Sequence, residues 1–133
     1  MKTFQTLQEL HEEWSVNGAC KMGVDFNSSC NTLQEVFEKC PLNLRLWRLR
    51  NGYIQFAEHC DWALLDGYSW AKLLVEQPQF AEFCNWSLLD NYDWIYLLIY
   101  QPKFAEYCNW SLLDGYSWDR LLIYQPQLAE YKK

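Results

Sequence analysis

No run of apolar residues in this chain approaches the roughly 18 needed to cross a bilayer, so no membrane span is expected. Bases are scarce. Eleven Lys and Arg stand against 17 Asp and Glu, giving a net charge of −6. A partner held through its phosphates demands clustered cations, so direct nucleic-acid binding is not expected. β-branched residues are few and period-2 alternation is missing, which argues against a sheet. The six cysteines include no Cys-x-x-Cys pair, the strongest sequence sign of a zinc site. There is also no Gly-rich phosphate loop, nucleophile elbow or metal-protease helix, so no enzyme and no cofactor are expected. The start, from Met1 to Glu9, turns acidic within nine residues, which predicts no secretory leader and a cytoplasmic protein.

Aromatic residues and repetition are what the chain does have. Eight Trp, nine Tyr and seven Phe supply bulky core material. At 50% hydrophobic and 21% charged, the composition excludes intrinsic disorder. Three blocks align without a gap: QFAEHCDWALLDGYSWAKLLVEQP (55–78), QFAEFCNWSLLDNYDWIYLLIYQP (79–102) and KFAEYCNWSLLDGYSWDRLLIYQP (103–126). Fourteen of the 24 columns are identical in all three, and QLAEY (127–131) opens a fourth copy. A unit of that size cannot bury its own apolar face, so neighbouring units must stack. Residues 1–54 hold six acids and six bases, while 55–133 hold eleven acids and five bases. That shift places a boundary near Ile54, between an N-terminal module (1–54) and the repeats (55–133).

Within each repeat, Trp70, Leu73 and Leu74 follow helical spacing, as do Trp94, Leu97, Leu98 and Trp118, Leu121, Leu122. Gly67, Asn91 and Gly115 share a column whose composition predicts positive φ, so that a Val at position 115 would be strained. Ser69, Asp93 and Ser117 are the expected N-caps. The helix should end at Gln77, Gln101 and Gln125, because a residue before proline is pushed out of the α region. Pro78, Pro102 and Pro126 then open a second short helix that buries Phe80, Ala81, Cys84 and their equivalents. Asp61, Asn85 and Asn109 are placed to cap a turn through Trp-x-Leu-Leu. The expected fold class is all-α, a short helical tandem-repeat solenoid.

The 24-residue period, the Leu73-Leu74 pair and Pro78 resemble the leucine-rich repeat variant family, which implies an α-helix paired with a tighter 3₁₀ helix. The Trp and Cys columns depart from that family's pattern. The fuller block, Cys-Asx-Trp-Ser-x-Leu-Asp-Gly through Gln-Pro-x-Phe-Ala, resembles repeats of gut-bacterial and phage proteins that bring no settled activity.

Residues 1–54 read as an atypical helical cap. Thr6 with Glu9 makes a capping box before Leu7, Leu10, His11 and Trp14, and Gly18 ends that helix. Asn31 with Gln34 makes a second box before Leu33, Val36, Phe37 and Cys40. Pro41 stops it, and Leu42 to Arg50 form another helix before Asn51-Gly52. The pattern of Gly18, Cys20, Gly23, Leu33, Glu35, Phe37, Cys40, Pro41, Leu46 and Trp47 resembles a small module of phage and bacterial proteins without an assigned chemistry.

Cys60, Cys84 and Cys108 occupy one column, so their sulfurs are spaced roughly 10 Å apart by helices packed about 8–10 Å from one another. Such a spacing forbids a shared tetrahedral ion, and core packing is the expected role. No metal is expected. The alternative is a zinc clip of Cys20, Cys30 and Cys40, completed by His11 or His59.

Two surfaces stand out as candidate binding sites. Glu58, Glu82, Glu106 and Glu130 stay acidic in every copy, although packing seldom needs a carboxylate. Asp66, Asp90 and Asp114 do likewise, with an Asx-turn bond as the structural explanation. Against this fixed frame, Tyr96, Tyr100, Tyr124 and Arg120 occupy variable columns and belong to types enriched in interface hot spots. Edged by Glu, they would form a protein-binding face. The expected function is non-catalytic protein binding. Resemblance and size give a more concrete form: a phage-type anti-defence inhibitor of the anti-CRISPR kind, occluding the basic nucleic-acid groove of a defence effector. The alternatives are a structural or adaptor repeat of a bacterial cell and a zinc-stabilised regulator.

Overall fold

In a computed structural model, residues 4–10 and 29–132 are described. All regular structure among them is helical, with no strand. The chain divides into two compact units, Met1–Cys60 and Asp61–Lys133. No described helix is long and apolar enough to cross a membrane.

In the first unit, α1 (Leu33–Lys39) and α2 (Leu42–Arg50) precede a 3₁₀ helix at Ile54–Ala57. Thr6 accepts from the Glu9 amide, as its capping box requires. The second box is shifted by one residue from the expected pair. Thr32, not Asn31, caps α1 by accepting from the Glu35 amide, and Glu35 reaches back to the Asn31 amide. The threonine hydroxyl and the carboxylate three residues on thus each hold one backbone amide at the helix start. Phe4 stacks on Tyr53, and the Gln55 side chain pairs with both backbone groups of Phe4.

Among the described residues of this unit, the cations Arg45 and Arg48 are buried. Arg45 donates to the carbonyls of Phe37 (2.6 Å), Phe56 (2.7 Å), Cys40 (3.2 Å) and Glu38 (3.3 Å). These include orphan carbonyls at the end of α1, so the guanidinium serves as the helix's C-terminal cap. Arg48 lies over the Phe56 ring, 4.7 Å from its centroid, and donates to Cys40 Sγ.

The second unit is built from α3 (Gly67–Glu76), α4 (Asn91–Tyr100) and α5 (Gly115–Tyr124). Each is followed by a 3₁₀ helix that its proline opens, at Pro78–Phe83, Pro102–Tyr107 and Pro126–Tyr131. A single 3₁₀ turn, capped by Asp61, Asn85 or Asn109 as expected, leads into each α-helix. Each α-helix packs on the 3₁₀ helix after it, and α4 packs on both α3 and α5. The helices end one residue before Gln77, Gln101 and Gln125, which are their C-caps. Those glutamines also join neighbouring copies. Gln101 Nε2 donates to the Val75 carbonyl (3.0 Å) and Gln125 Nε2 to that of Ile99 (2.7 Å).

Two expectations for the helix start fail together. Gly67 and Gly115 do not have positive φ; among the described residues only Gly52 does. The N-caps are Asp66, Asp90 and Asp114, and Ser69, Asp93 and Ser117 sit three residues later, supplying the amide that the cap accepts. The helix therefore starts three residues earlier than its composition suggests, and Gly67 and Gly115 are the first residues of α3 and α5. Gly67 is needed for space rather than for φ. A Cβ there would run into the Leu88 carbonyl oxygen and come within 2.5 Å of Asp93 Oδ2.

The tryptophan columns form the core. Trp62 lies between Trp70 (5.3 Å) and Phe83 (5.1 Å), Trp86 between Trp94 and Tyr107, and Trp110 between Trp118 and Tyr131. The third ring of each stack comes from the following repeat. The column that begins with His59 thus supplies a stacked ring from Phe83 onward.

Asp93 is buried at the α3–α4 junction. Burial, with Asp90 and Asp66 nearby, pushes its carboxyl above the usual range, whereas the Ser69 and Ser117 amides hold Asp66 and Asp114 below it. The signs oppose each other. Ionised Asp93 costs stability above its raised folded value, and that cost disappears on acidification. The two caps contribute stability above the ordinary carboxylate value of about 3.9, lost as pH falls through their depressed values. Asp93→Asn keeps an acceptor for the Asp90 amide and removes the charge. It should melt higher than wild type at pH 7, with the gap closing below about pH 4. Melting curves across pH check this, and equal midpoints at pH 7 would refute it.

Candidate functional site

The buried Trp and Leu positions fix how each α-helix is rotated, and that rotation fixes what points outward. The first turn presents Tyr68, Tyr92 and Tyr116, all exposed, the last two by 77% and 71%. One turn on come Lys72, Tyr96 and Arg120, and a further turn on come Glu76, Tyr100 and Tyr124. Between α4 and α5 these side chains wall a groove of about 280 Å³, lined by Tyr92, Tyr96, Tyr100, Tyr116, Arg120 and Tyr124 among others. All four residues singled out from the variable columns meet there. Tyr96 sets its ring edge-on to Tyr100, with centroids 5.3 Å apart. A second groove of about 210 Å³ lies between α3 and α4, lined by Tyr68, Lys72, Tyr92 and Tyr96, with Asp93 at its side. The two grooves share Tyr92 and Tyr96. Lys72 sits over the Tyr68 ring at 4.7 Å.

The invariant column Tyr68, Tyr92, Tyr116 escaped sequence reasoning, which searched the variable columns. Its signal was present: an aromatic repeated at a helix position off the Trp and Leu face.

The acidic column lies elsewhere. Glu82, Glu106 and Glu130 belong to the three 3₁₀ helices that proline opens in the second unit, and Glu58 to the end of the 3₁₀ helix at Ile54–Ala57 in the first. All four are exposed, and none lines the tyrosine grooves, so the acids do not edge that face. Glu82 instead borders a depression with Cys84, Trp86, Phe104 and Tyr107. Glu106, through a hydrogen bond and its charge, pushes the Tyr107 hydroxyl above its ordinary value. The Asp66, Asp90 and Asp114 carboxylates are occupied as helix caps.

The cysteine columns carry no site. Cys60, Cys84 and Cys108 are only half-buried, less deep than core filling implied. Burial still pushes the Cys84 and Cys108 thiols up to about 12. An ordinary thiol ionises near 8.5, so the thiolate fraction at neutral pH falls by roughly three orders of magnitude. Alkylation of both cysteines by iodoacetamide should therefore be at least a hundredfold slower in the native protein than in urea, as read by peptide mass spectrometry. Rapid native labelling would contradict this. Of the alternative zinc ligands, Cys20 and His11 lie outside the described residues. Cys30 and Cys40 are buried and free, and His59 lies 3.3 Å from Gln34 Nε2. Among the described residues no cluster of three His, Cys, Asp or Glu is placed to hold a metal.

In comparisons with known proteins, no family model, curated protein or solved structure matches this chain.

Proposed function

We propose that this chain is a non-catalytic protein-binding repeat protein whose second unit is a short solenoid presenting the tyrosine grooves to its partner. One observation carries the reading: the α4–α5 groove gathers Tyr96, Tyr100, Arg120 and Tyr124 with Tyr92 and Tyr116, and most of these rings are exposed. Tyr and Arg are the residue types through which interfaces concentrate affinity. Exposed aromatic rings repeated on successive helices have no packing purpose of their own. Among the described residues, the unbridged thiols of Cys30, Cys40, Cys84 and Cys108 fit the reducing cytoplasm.

The acidic column supports a second reading. Glu82, Glu106 and Glu130 stand exposed on successive 3₁₀ helices, a placement suited to Lys and Arg lining a nucleic-acid groove. With the phage-like repeats, this gives the anti-defence inhibitor of anti-CRISPR type as the concrete form. A structural or adaptor role in a bacterial cell would use the same tyrosine face without antagonism.

A partner captured from bacterial lysate and then purified decides between the surfaces. Tyr100→Ala with Tyr124→Ala should cost at least tenfold in affinity at both low and high salt. Changing Glu82, Glu106 and Glu130 to Lys should leave it intact. The converse, with strong weakening by salt in the wild type, would select the acidic column.

A further inference from the structure

Resting on the groove reading, we infer that the tyrosine face takes an extended, proline-rich, acidic peptide in the polyproline II conformation. Three features of the site converge on that occupant.

The first is pitch. A polyproline II helix turns once every three residues and rises about 3.1 Å per residue, so side chains on one face recur about every 9 Å. The two grooves lie between successive packed helices, which stand about 8–10 Å apart. A peptide lying across α3, α4 and α5 thus drops one proline into each groove, with the Tyr92 and Tyr96 wall between them.

The second is size. At about 280 and 210 Å³ the grooves fall below the usual range for a small-molecule pocket, roughly 300–1,000 Å³. Each suits one or two side chains, and a flat pyrrolidine ring against tyrosine is the contact that aromatic-lined grooves offer to proline-rich segments.

The third is polarity. The groove walls offer donors: tyrosine hydroxyls, the Arg120 guanidinium and the Lys72 ammonium. Asp93, the one carboxylate lining either groove, is buried. A proline-rich segment is the complement, because its carbonyls are free and proline lacks an N–H. Among the described residues no carboxylate forms an ion pair with Arg120 or Lys72, so both cations are available to acidic residues of the peptide.

Fluorescence anisotropy with three labelled 15-residue peptides tests this: repeats of Pro-Pro-Glu, of Gly-Ser-Glu with the same charge, and of Pro-Pro-Lys. The wild type should bind the first at least tenfold more tightly than either of the others. Tyr92→Ala with Tyr116→Ala should lose at least tenfold while keeping its circular dichroism spectrum, because both rings are exposed. Arg120→Glu should weaken the preference for the Glu peptide over the Lys peptide. Equal binding of the Pro-Pro-Glu and Gly-Ser-Glu peptides, no binding at millimolar concentration, or an unchanged affinity in the folded tyrosine variant overturns the inference. Panning a displayed random-peptide library on wild type and tyrosine variant separates this failure from that of the groove itself. A binder without proline that the variant fails to retain keeps the groove and rejects the polyproline occupant. If no binder depends on the tyrosines, both readings fall.

Discussion

Trp94→Ala is expected to cost about 3–5 kcal/mol, the range for removing a buried large aromatic. The ring is 1% exposed and stacks on Trp86, which in turn stacks on Tyr107 of the next repeat. One deletion therefore loosens two repeats. Against a typical domain stability of about 5–15 kcal/mol, that is a large share. Tyr92→Ala, two residues away and exposed, should stay within about 0.5 kcal/mol of wild type. Urea unfolding of both variants provides the comparison. A Trp94→Ala midpoint within about 1 kcal/mol of wild type would mean that the stacked rings are not the core.

The two glycines at helix starts should respond with opposite signs. Gly67→Ala forces a methyl against the Leu88 carbonyl, a backbone atom that moves only with its whole repeat, and against Asp93. Overpacking of this kind costs about 1–3 kcal/mol. Gly115→Ala meets nothing within 4 Å and fits a helical residue, so it should stabilise by about 0.4–1 kcal/mol through the unfolded chain. The contrast follows from position: Gly67 abuts Leu88 and Asp93 of the next copy, whereas nothing lies within 4 Å of a Cβ at Gly115. A double variant, Gly67→Ala with Asp93→Ser, relieves the contact with Asp93 but not that with the Leu88 carbonyl, so it should recover only part of the stability lost by Gly67→Ala alone. Thermal melts of the set test the pairing, and equal losses at Gly67 and Gly115 would dismiss it.

Much of the second unit was legible because repetition removes noise. Trp70, Leu73 and Leu74 recur in register, and the proline column fixes where each α-helix stops. The helix start was misread because Ser69, Asp93 and Ser117 are good capping residues by type, as Asp66, Asp90 and Asp114 are too. Composition does not say which of two candidates has its side chain facing the free amides. Glycine was misread for a related reason: a missing Cβ serves either φ or close approach, and only the neighbour's carbonyl distinguishes them. Arg45 was invisible because its four acceptors are backbone carbonyls, which leave no trace in residue identity. For the candidate site, helical spacing put Tyr96, Tyr100 and Tyr124 on one surface. The acidic column was wrongly joined to it because neither period nor charge reveals that a 3₁₀ helix carries one and an α-helix the other.

The paired indoles also have an optical consequence. Trp62 with Trp70, Trp86 with Trp94 and Trp110 with Trp118 are each held near-parallel at 5.0–5.4 Å between centroids. Transition dipoles that close share their excitation, so each pair should contribute a split, oppositely signed far-ultraviolet couplet superimposed on the helical spectrum. Apparent helicity read at one wavelength would then be distorted. The couplet would report ring packing separately from backbone, one chromophore pair per repeat. In a variant lacking Trp94 a third of that signal should vanish, so that loosening of the stack could be followed apart from melting of the helices around it.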